Sequence, residues 1–87
     1  MKTLYLETLK KAFCDKVRLC RAALDISQED MAAQLEVSTR AYINLEHGDS
    51  CCGALTLALF LVYICDDATV FLADLRNAFE VCKHEAA

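Results

Sequence analysis

Turn-forming residues are almost missing from this chain: its 87 residues include no proline, and its only glycines are Gly48 and Gly53. Folds built from many short strands need frequent turns that contain glycine or proline, so helix is favoured before any periodicity is considered. The chain is also too short for two well-packed domains. The sequence therefore predicts a single all-helical domain over residues 1–87.

Apolar spacing and helix-end residues predict the first three of five helices. The first helix carries an apolar stripe at spacings of three and four, made of Leu6, Leu9, Phe13, Val17, Cys20 and Leu24. We expect it to end at Leu24, with Asp25 in the left-handed conformation. Ser27 and Ser38 are candidate N-caps of the second and third helices. Gly48 is expected to follow the end of the third.

The last two helices are predicted from an apolar run and a following cap. Residues 54–65 are apolar at every position except Thr56. A membrane span needs about 20 such residues, so we expect a buried fourth helix that is covered on more than one side, and no membrane association. Asp67 is the expected cap of a fifth helix, and the tail 83–87 is expected to fray. The apolar face of the fifth helix consists of Phe71, Leu75, Ala78, Phe79 and Cys82.

The six cysteines admit three interpretations: reduced thiols in a helical core, a zinc site, or a redox pair. Lys2 and Glu7 interrupt the apolar residues at the start, so no secretory signal is predicted and a reducing cytoplasm is the expected compartment. Within apolar helical patterns, reduced cysteines pack as small hydrophobes. Zinc at His47, Cys51 and Cys52 is the alternative, but no Cys-x-x-Cys pair is present. Adjacency of two cysteines is not evidence of redox chemistry. We expect reduced cysteines, no metal ion and no cofactor.

The stretch from Ser27 to Gly48 predicts two short helices joined by a tight turn. This is the plan of a helix-turn-helix, whose second helix can lie in the major groove of DNA. The positions expected to face the core are Met31, Ala32, Leu35, Val37, Tyr42 and Leu45. The positions expected to point away from it are Thr39, Arg40, Ile43 and Asn44.

Four short motifs occur in order along the chain: RLCR at 18–21, ISQEDMA at 26–32, VSTR at 37–40 and LEHG at 45–48. In this combination the chain resembles the phage-repressor and Cro-like helix-turn-helix regulators over roughly residues 13–75. The resemblance implies a five-helix lambda-repressor-like domain whose helix-turn-helix core covers about residues 27–48. It also implies a transcriptional regulator that binds double-stranded DNA as a homodimer.

The resemblance implies DNA contacts at Gln28, Ser38, Thr39, Arg40, Ile43 and Asn44. Gln28 matches a position that contacts phosphate and sometimes a neighbouring side chain, and Ser38 matches one that contacts phosphate. Thr39, Arg40 and Asn44 match positions that contact bases. The chemistry is suitable, because Arg can bind guanine and Asn can bind adenine through two hydrogen bonds each. Each of these side chains is equally compatible with an ordinary exposed position on a helix. Arg21 and Glu46 match a structural ion pair between the first and third helices.

Charge is the main departure from the family. Residues 1–21 have a net charge of +4 and residues 22–87 of −8. Many relatives place Lys or Arg after the glycine that ends the third helix, whereas this chain has Asp49, Ser50 and Cys51 there. Because phosphate neutralisation supplies much of DNA affinity, we expect an isolated monomer to bind weakly. Basic residues of the first helix compensate if they flank the groove.

A protein-interaction module and an enzyme are the other two function classes to compare with the sequence. The acidic surface favours a protein-interaction module of the same fold as the alternative to DNA binding, because a fold does not fix a function. An enzyme is not expected, because the chain has no glycine-rich phosphate loop and no grouping of His, carboxylate and Ser.

Apolar surface left over on the fourth and fifth helices is the expected homodimer interface.

Overall fold

The computed structural model describes residues 2–86, and the regular structure in this range is all helical. The helices are α1 (Lys2–Leu24), α2 (Gln28–Gln34), α3 (Thr39–Glu46), α4 (Ala54–Leu59) and α5 (Ala68–Ala86). A π-helical turn, Phe60–Ile64, continues α4 directly. The prediction of an all-helical chain with five helices is therefore confirmed. None of the helices within residues 2–86 is long and apolar enough to cross a membrane.

Serine side chains fix the starts of the two short helices. The Ser27 Oγ accepts the backbone N–H of Asp30 at 3.0 Å, and the Ser38 Oγ accepts that of Ala41 at 3.1 Å. Each bond satisfies one of the first-turn N–H groups that have no partner inside the helix. Both predicted N-caps are confirmed.

The first three helices end in the same way, with one residue in the left-handed conformation. These residues are Asp25 (φ 54°), Glu36 (φ 59°) and Gly48 (φ 78°). The amide that follows each of them donates to the carbonyl five residues back: Ile26 to Arg21, Val37 to Ala32, and Asp49 to Asn44. This is the Schellman arrangement, and it was expected at Asp25 and Gly48 but not at Glu36.

The core lies where α1 meets the other helices. Phe13 of α1 packs edge-on against Phe60, with ring centroids 5.1 Å apart, and Phe60 packs edge-on against Phe71 at 6.1 Å. Most of the inward positions predicted on α2 and α3 are buried, and Val37 is partly buried. The buried ones are Met31, Ala32, Leu35, Tyr42 and Leu45.

The apolar stripe of α1 is buried only along its middle. Phe13 and Val17 are fully covered, whereas Leu6 is 47% exposed and Leu24 is 48% exposed. The helix is about 35 Å long at about 1.5 Å per residue, and the aromatic cluster of Phe60 and Phe71 lies against its middle, at Phe13. Cys14, which lies outside the predicted stripe, is buried.

The fourth helix differs from its prediction in two respects. It changes from α-helical to π-helical at Phe60. It is also covered on one side only, because Leu55, Val62 and Tyr63 are 63%, 69% and 77% exposed. The prediction of a helix covered on more than one side is therefore wrong for the single chain. Thr56, the one polar residue of the run, is buried and donates to the Leu35 carbonyl at 3.4 Å.

The start of α5 is held by side chains rather than by the predicted cap. The Asp67 carboxylate accepts hydrogen bonds from Lys16 Nζ at 2.8 Å and from Cys65 Sγ at 3.4 Å. This contact with a cation lowers the pKa of Asp67. Asp67, which directly precedes α5, thus joins this helix to α1 through opposite charges.

The end of α5 packs against the start of α1. Tyr5 and Phe79 stack edge-on with centroids 5.4 Å apart, and the Thr8 hydroxyl lies 3.0 Å from the Cys82 sulfur. The helix continues to Ala86, so residues 83–86 of the tail that was expected to fray are helical in the structure. Ala87 lies outside the described residues.

Candidate nucleic-acid interface

The carboxylate of Glu46 is the centre of a buried polar network that joins α1, α2 and α3. Its two oxygens accept four hydrogen bonds from three side chains. Arg21 donates twice, from Nε at 2.7 Å and Nη2 at 3.0 Å. Gln28 Nε2 donates at 3.1 Å and the Tyr42 hydroxyl at 2.5 Å. A carboxylate with four donors is fully satisfied although its side chain is only 6% exposed.

The network shifts the pKa of both of its acidic groups. Burial by itself raises the pKa of Glu46, but hydrogen bonds from Arg21, Tyr42 and Gln28 outweigh it and lower that pKa to about 2. Burial raises the pKa of Tyr42, and its hydrogen bond to the Glu46 carboxylate raises it further. Glu46 is therefore ionised and Tyr42 protonated throughout the physiological range.

Two contacts to backbone carbonyls complete the connection between the helices. Arg21 Nη1 donates to the carbonyl of Ile26, in the loop before α2, at 3.1 Å. The Cys14 thiol donates to the carbonyl of Glu46, at the end of α3, at 2.9 Å. Together with the four bonds to the Glu46 carboxylate, these contacts fix how α3 sits on α1 and α2.

The outward side of α3 presents polar side chains. Arg40 and Asn44 are exposed, and Thr39 and Ile43 are half-buried beside them. Residues four apart lie on one side of a helix, so Arg40 and Asn44 form a row. The opposite side of α3 holds Tyr42, Leu45 and Glu46, all of which are buried. The four outward positions predicted on α3 thus share one face.

The two residues predicted to contact phosphate are placed differently. Ser38 is exposed at the start of α3; its oxygen accepts the Ala41 N–H, which leaves its hydroxyl hydrogen to donate elsewhere. Gln28 is half-buried and one of its amide hydrogens is bound by Glu46. Only the remaining amide atoms of Gln28 are left for a ligand.

Sequence reasoning missed two members of the network. Tyr42 was predicted to face the core, but no partner was predicted for its hydroxyl, which binds Glu46 one helical turn further along α3. The spacing of four residues was the available signal. Cys14 lies seven residues before Arg21 on the same face of α1, and this spacing was its signal.

Acidic and basic side chains are separated around α3. Three exposed carboxylates, those of Glu29, Asp30 and Glu36, belong to α2 and the turn after it. At the other end of α3, a groove of about 290 Å³ beside His47 and Gly48 is lined by three cations and two carboxylates of α1, namely Lys10, Lys11, Arg18, Glu7 and Asp15. The charge imbalance seen along the sequence is therefore also a spatial one.

The six cysteines are free thiols in the structure. Burial raises the pKa of Cys52 and of Cys65 to about 11, so both stay protonated at neutral pH and are poor nucleophiles. Among residues 2–86, no three His, Cys, Asp or Glu side chains are grouped as metal ligands would be.

Comparison with known proteins gives no relative: no family model, curated protein or solved structure matches the chain. A functional assignment therefore has to be argued from the geometry of α2 and α3 and from the chemistry of their exposed side chains. Function follows from such a site rather than from the helical architecture as a whole.

Proposed function

We propose that the chain is a sequence-specific DNA-binding transcriptional regulator of the cytoplasm, with a lambda-repressor-like helix-turn-helix formed by α2 and α3. The observation that carries the proposal is the outward face of α3. Arg40 and Asn44 are exposed there, on a helix whose inner side is held by the Glu46 network. A rigidly held helix with exposed hydrogen-bonding side chains meets the requirement for reading base edges in the major groove.

Each outward side chain has a distinct role in this proposal. Arg40 donates two hydrogen bonds to guanine, and Asn44 pairs with adenine. Thr39 and Ile43, which flank them, contact thymine methyl groups. Each paired contact distinguishes the right base from a wrong one by about 1–3 kcal/mol. Ser38 supplies a hydroxyl to phosphate at the start of the helix, and Gln28 supplies the part of its amide that Glu46 leaves free.

A homodimer is part of the proposal. Leu55, Val62 and Tyr63 form an apolar surface on α4 and the π-helical turn, and Val70, Leu72 and Val81 are exposed on α5. Monomeric proteins rarely leave a large apolar area open to water. A two-fold dimer would contact two half-sites about one turn of DNA apart, and it would double the phosphate contacts of a weakly binding acidic monomer.

The test is a selection of random double-stranded DNA at several salt concentrations, comparing the reduced wild type with Arg40→Ala. We expect the wild type to enrich one half-site or palindrome, with affinity that falls as salt rises. Arg40→Ala should lose preference at the guanine it contacts, at a cost of about 1–3 kcal/mol, with an unchanged thermal unfolding curve.

Arg76→Ala is the matched control, because it removes an exposed arginine from α5 instead of α3. It should keep the full preference of the wild type. Retention of that preference by Arg40→Ala would refute the role of Arg40. A wild type that enriches no sequence even at low salt would refute DNA recognition altogether.

The second candidate is a protein-interaction module, favoured by the exposed carboxylates of Glu29, Asp30 and Glu36 beside the start of α3. Carboxylates at this place repel phosphate and suit a basic partner surface. This candidate predicts the opposite result in the same selection: no DNA enrichment at low salt, together with stoichiometric binding of one protein that presents a basic surface.

A further inference from the structure

We infer that Lys11 and Arg18 of α1 bind the DNA phosphates beside the end of α3 and replace the basic residues that the loop at 49–51 lacks. The inference rests on the proposed function, and it assigns to α1 a part of the DNA interface. The residues concerned border the groove that also contains His47 and Gly48.

The geometry follows from one contact between α1 and α3. The Cys14 thiol donates to the Glu46 carbonyl, and its sulfur lies 3.5 Å from where a Cβ on Gly48 would be. Arg18 lies four residues after Cys14 and Lys11 three before it, so both share the face of α1 that meets the end of α3. Along α1, Lys11 therefore lies before, and Arg18 after, the point where Cys14 contacts the end of α3.

The same face is continuous with the outward side of α3. Arg40, Asn44 and His47 are exposed and recur at spacings of four and three, which puts them in one row along the helix. A recognition helix contacts base edges mainly through its N-terminal residues. Groups beside the last turn of α3 are therefore nearer to the sugar-phosphate backbone that borders the groove.

The charges at this groove favour an anion. Lys11 Nζ lies 3.1 Å and Arg18 Nη2 2.9 Å from the Asp15 carboxylate, so two cations share a single acid. Their side chains are 80% and 54% exposed, and a phosphate can reach both of them. Hydrogen bonds from Lys11 and then Arg18 lower the pKa of Asp15, which keeps it ionised at neutral pH. Lys10 and Glu7, which also line the groove, pair with each other, so the lining residues together carry one positive charge in excess.

The experiment compares wild type, K11Q/R18Q and R76Q/K83Q on the DNA site selected by the wild type, with affinity measured over a salt series. The control R76Q/K83Q removes the same charge from exposed positions of α5. Each phosphate contact adds about 0.9 to the slope of log affinity against log salt. K11Q/R18Q should therefore reduce this slope by about 1.8, whereas R76Q/K83Q should change it by less than about 0.5.

A third variant, D15N, tests the same groove in the opposite direction. Removing the carboxylate frees both cations, so affinity at low salt should rise roughly two- to fivefold. Base preference should be the same in D15N, K11Q/R18Q and wild type, because phosphate contacts carry no sequence information. All variants change exposed side chains, and circular dichroism before each titration verifies that they are folded.

The outcomes separate the two proposals. A wild type that binds no DNA overturns both. Sequence-specific binding by the wild type, with equal slopes for K11Q/R18Q and R76Q/K83Q, overturns only the role of α1 and leaves α3 as the recognition helix. Unchanged or lower affinity of D15N also counts against the α1 contact. A selective loss of slope in K11Q/R18Q supports it.

Discussion

Replacing Glu46 by Gln keeps the shape of the side chain at the centre of the network but removes its charge. In the folded chain the pKa of Glu46 is about 2, against an ordinary value of 4.5. At about 1.36 kcal/mol per pH unit, this difference corresponds to about 3 kcal/mol of stability supplied by the charged form. The value agrees with the roughly 3–5 kcal/mol lost when one partner of a buried ion pair is removed.

The loss should depend on pH with a definite sign. Because the folded-state pKa of Glu46 lies below that of the unfolded chain, its contribution is fully present above pH 4.5 and is lost as the pH falls towards 2. The difference in unfolding free energy between wild type and Glu46→Gln should therefore be greatest at neutral pH. Below pH 4.5 it should shrink, because the wild type loses the same charge by protonation.

Urea unfolding followed by circular dichroism measures both quantities, at neutral pH and at about pH 3. Domains of this size have a total stability of roughly 4–13 kcal/mol, so the variant should still fold at neutral pH. Glu80→Gln, which removes an exposed carboxylate from α5, is the control and should change stability by no more than about 0.5 kcal/mol. A Glu46→Gln effect below about 1 kcal/mol, or one that is the same at both pH values, would refute the reasoning.

Two further predictions concern the start of α3 and the exposed side of α4. Ser38→Ala removes the hydrogen bond to the Ala41 amide and should destabilise the chain by about 1 kcal/mol, which a calorimeter would record as a fall in Tm of about 4–8 °C. An unchanged Tm would show that this cap is dispensable. Val62→Glu combined with Tyr63→Glu places two charges on the proposed dimer surface and should convert the wild-type dimer to a 9.7 kDa monomer in light scattering. A wild type that is already monomeric at micromolar concentration would contradict the dimer.

Helix boundaries in the first half of the chain were predictable because local chemistry determines them. Ser27 and Ser38 cap helices through bonds to amides three residues away, and Gly48 supplies a left-handed conformation at the end of α3. Glu36 adopts the same conformation without any such signal. A non-glycine residue there costs about 1–2 kcal/mol, which only the packing of α2 against α3 can offset.

The fourth helix was less predictable because its sequence has no polar side. In a run that is apolar throughout, periodicity cannot say which residues face inwards, and the packing of Phe60 against Phe13 and Phe71 decides it. Thr56 is consequently inside and Tyr63 outside, the reverse of what their polarity suggests.

The candidate site was predictable as a set of positions but not as a network. The resemblance to the repressor family implied the pair of Arg21 with Glu46, and spacing put Arg40 and Asn44 on the outer face of α3. It gave no information on which donor would take the remaining Glu46 lone pairs. The placement of Gln28 and of the Tyr42 hydroxyl depends on how closely α2 and α3 approach each other.

The pairing of the first helix with the last has a consequence for synthesis of the protein on the ribosome. Phe13 of α1 can pack only after its partner Phe60 has been synthesised, 47 residues later. Phe71, which packs on Phe60, and Cys82, which contacts the start of α1, are synthesised later still. At roughly 5–20 residues per second, the nascent chain presents the apolar side of α1 for roughly 2–9 s before Phe60 is made. Helix–coil relaxation takes less than about a microsecond, so the rate of synthesis, and not the rate of helix formation, determines when the core can close.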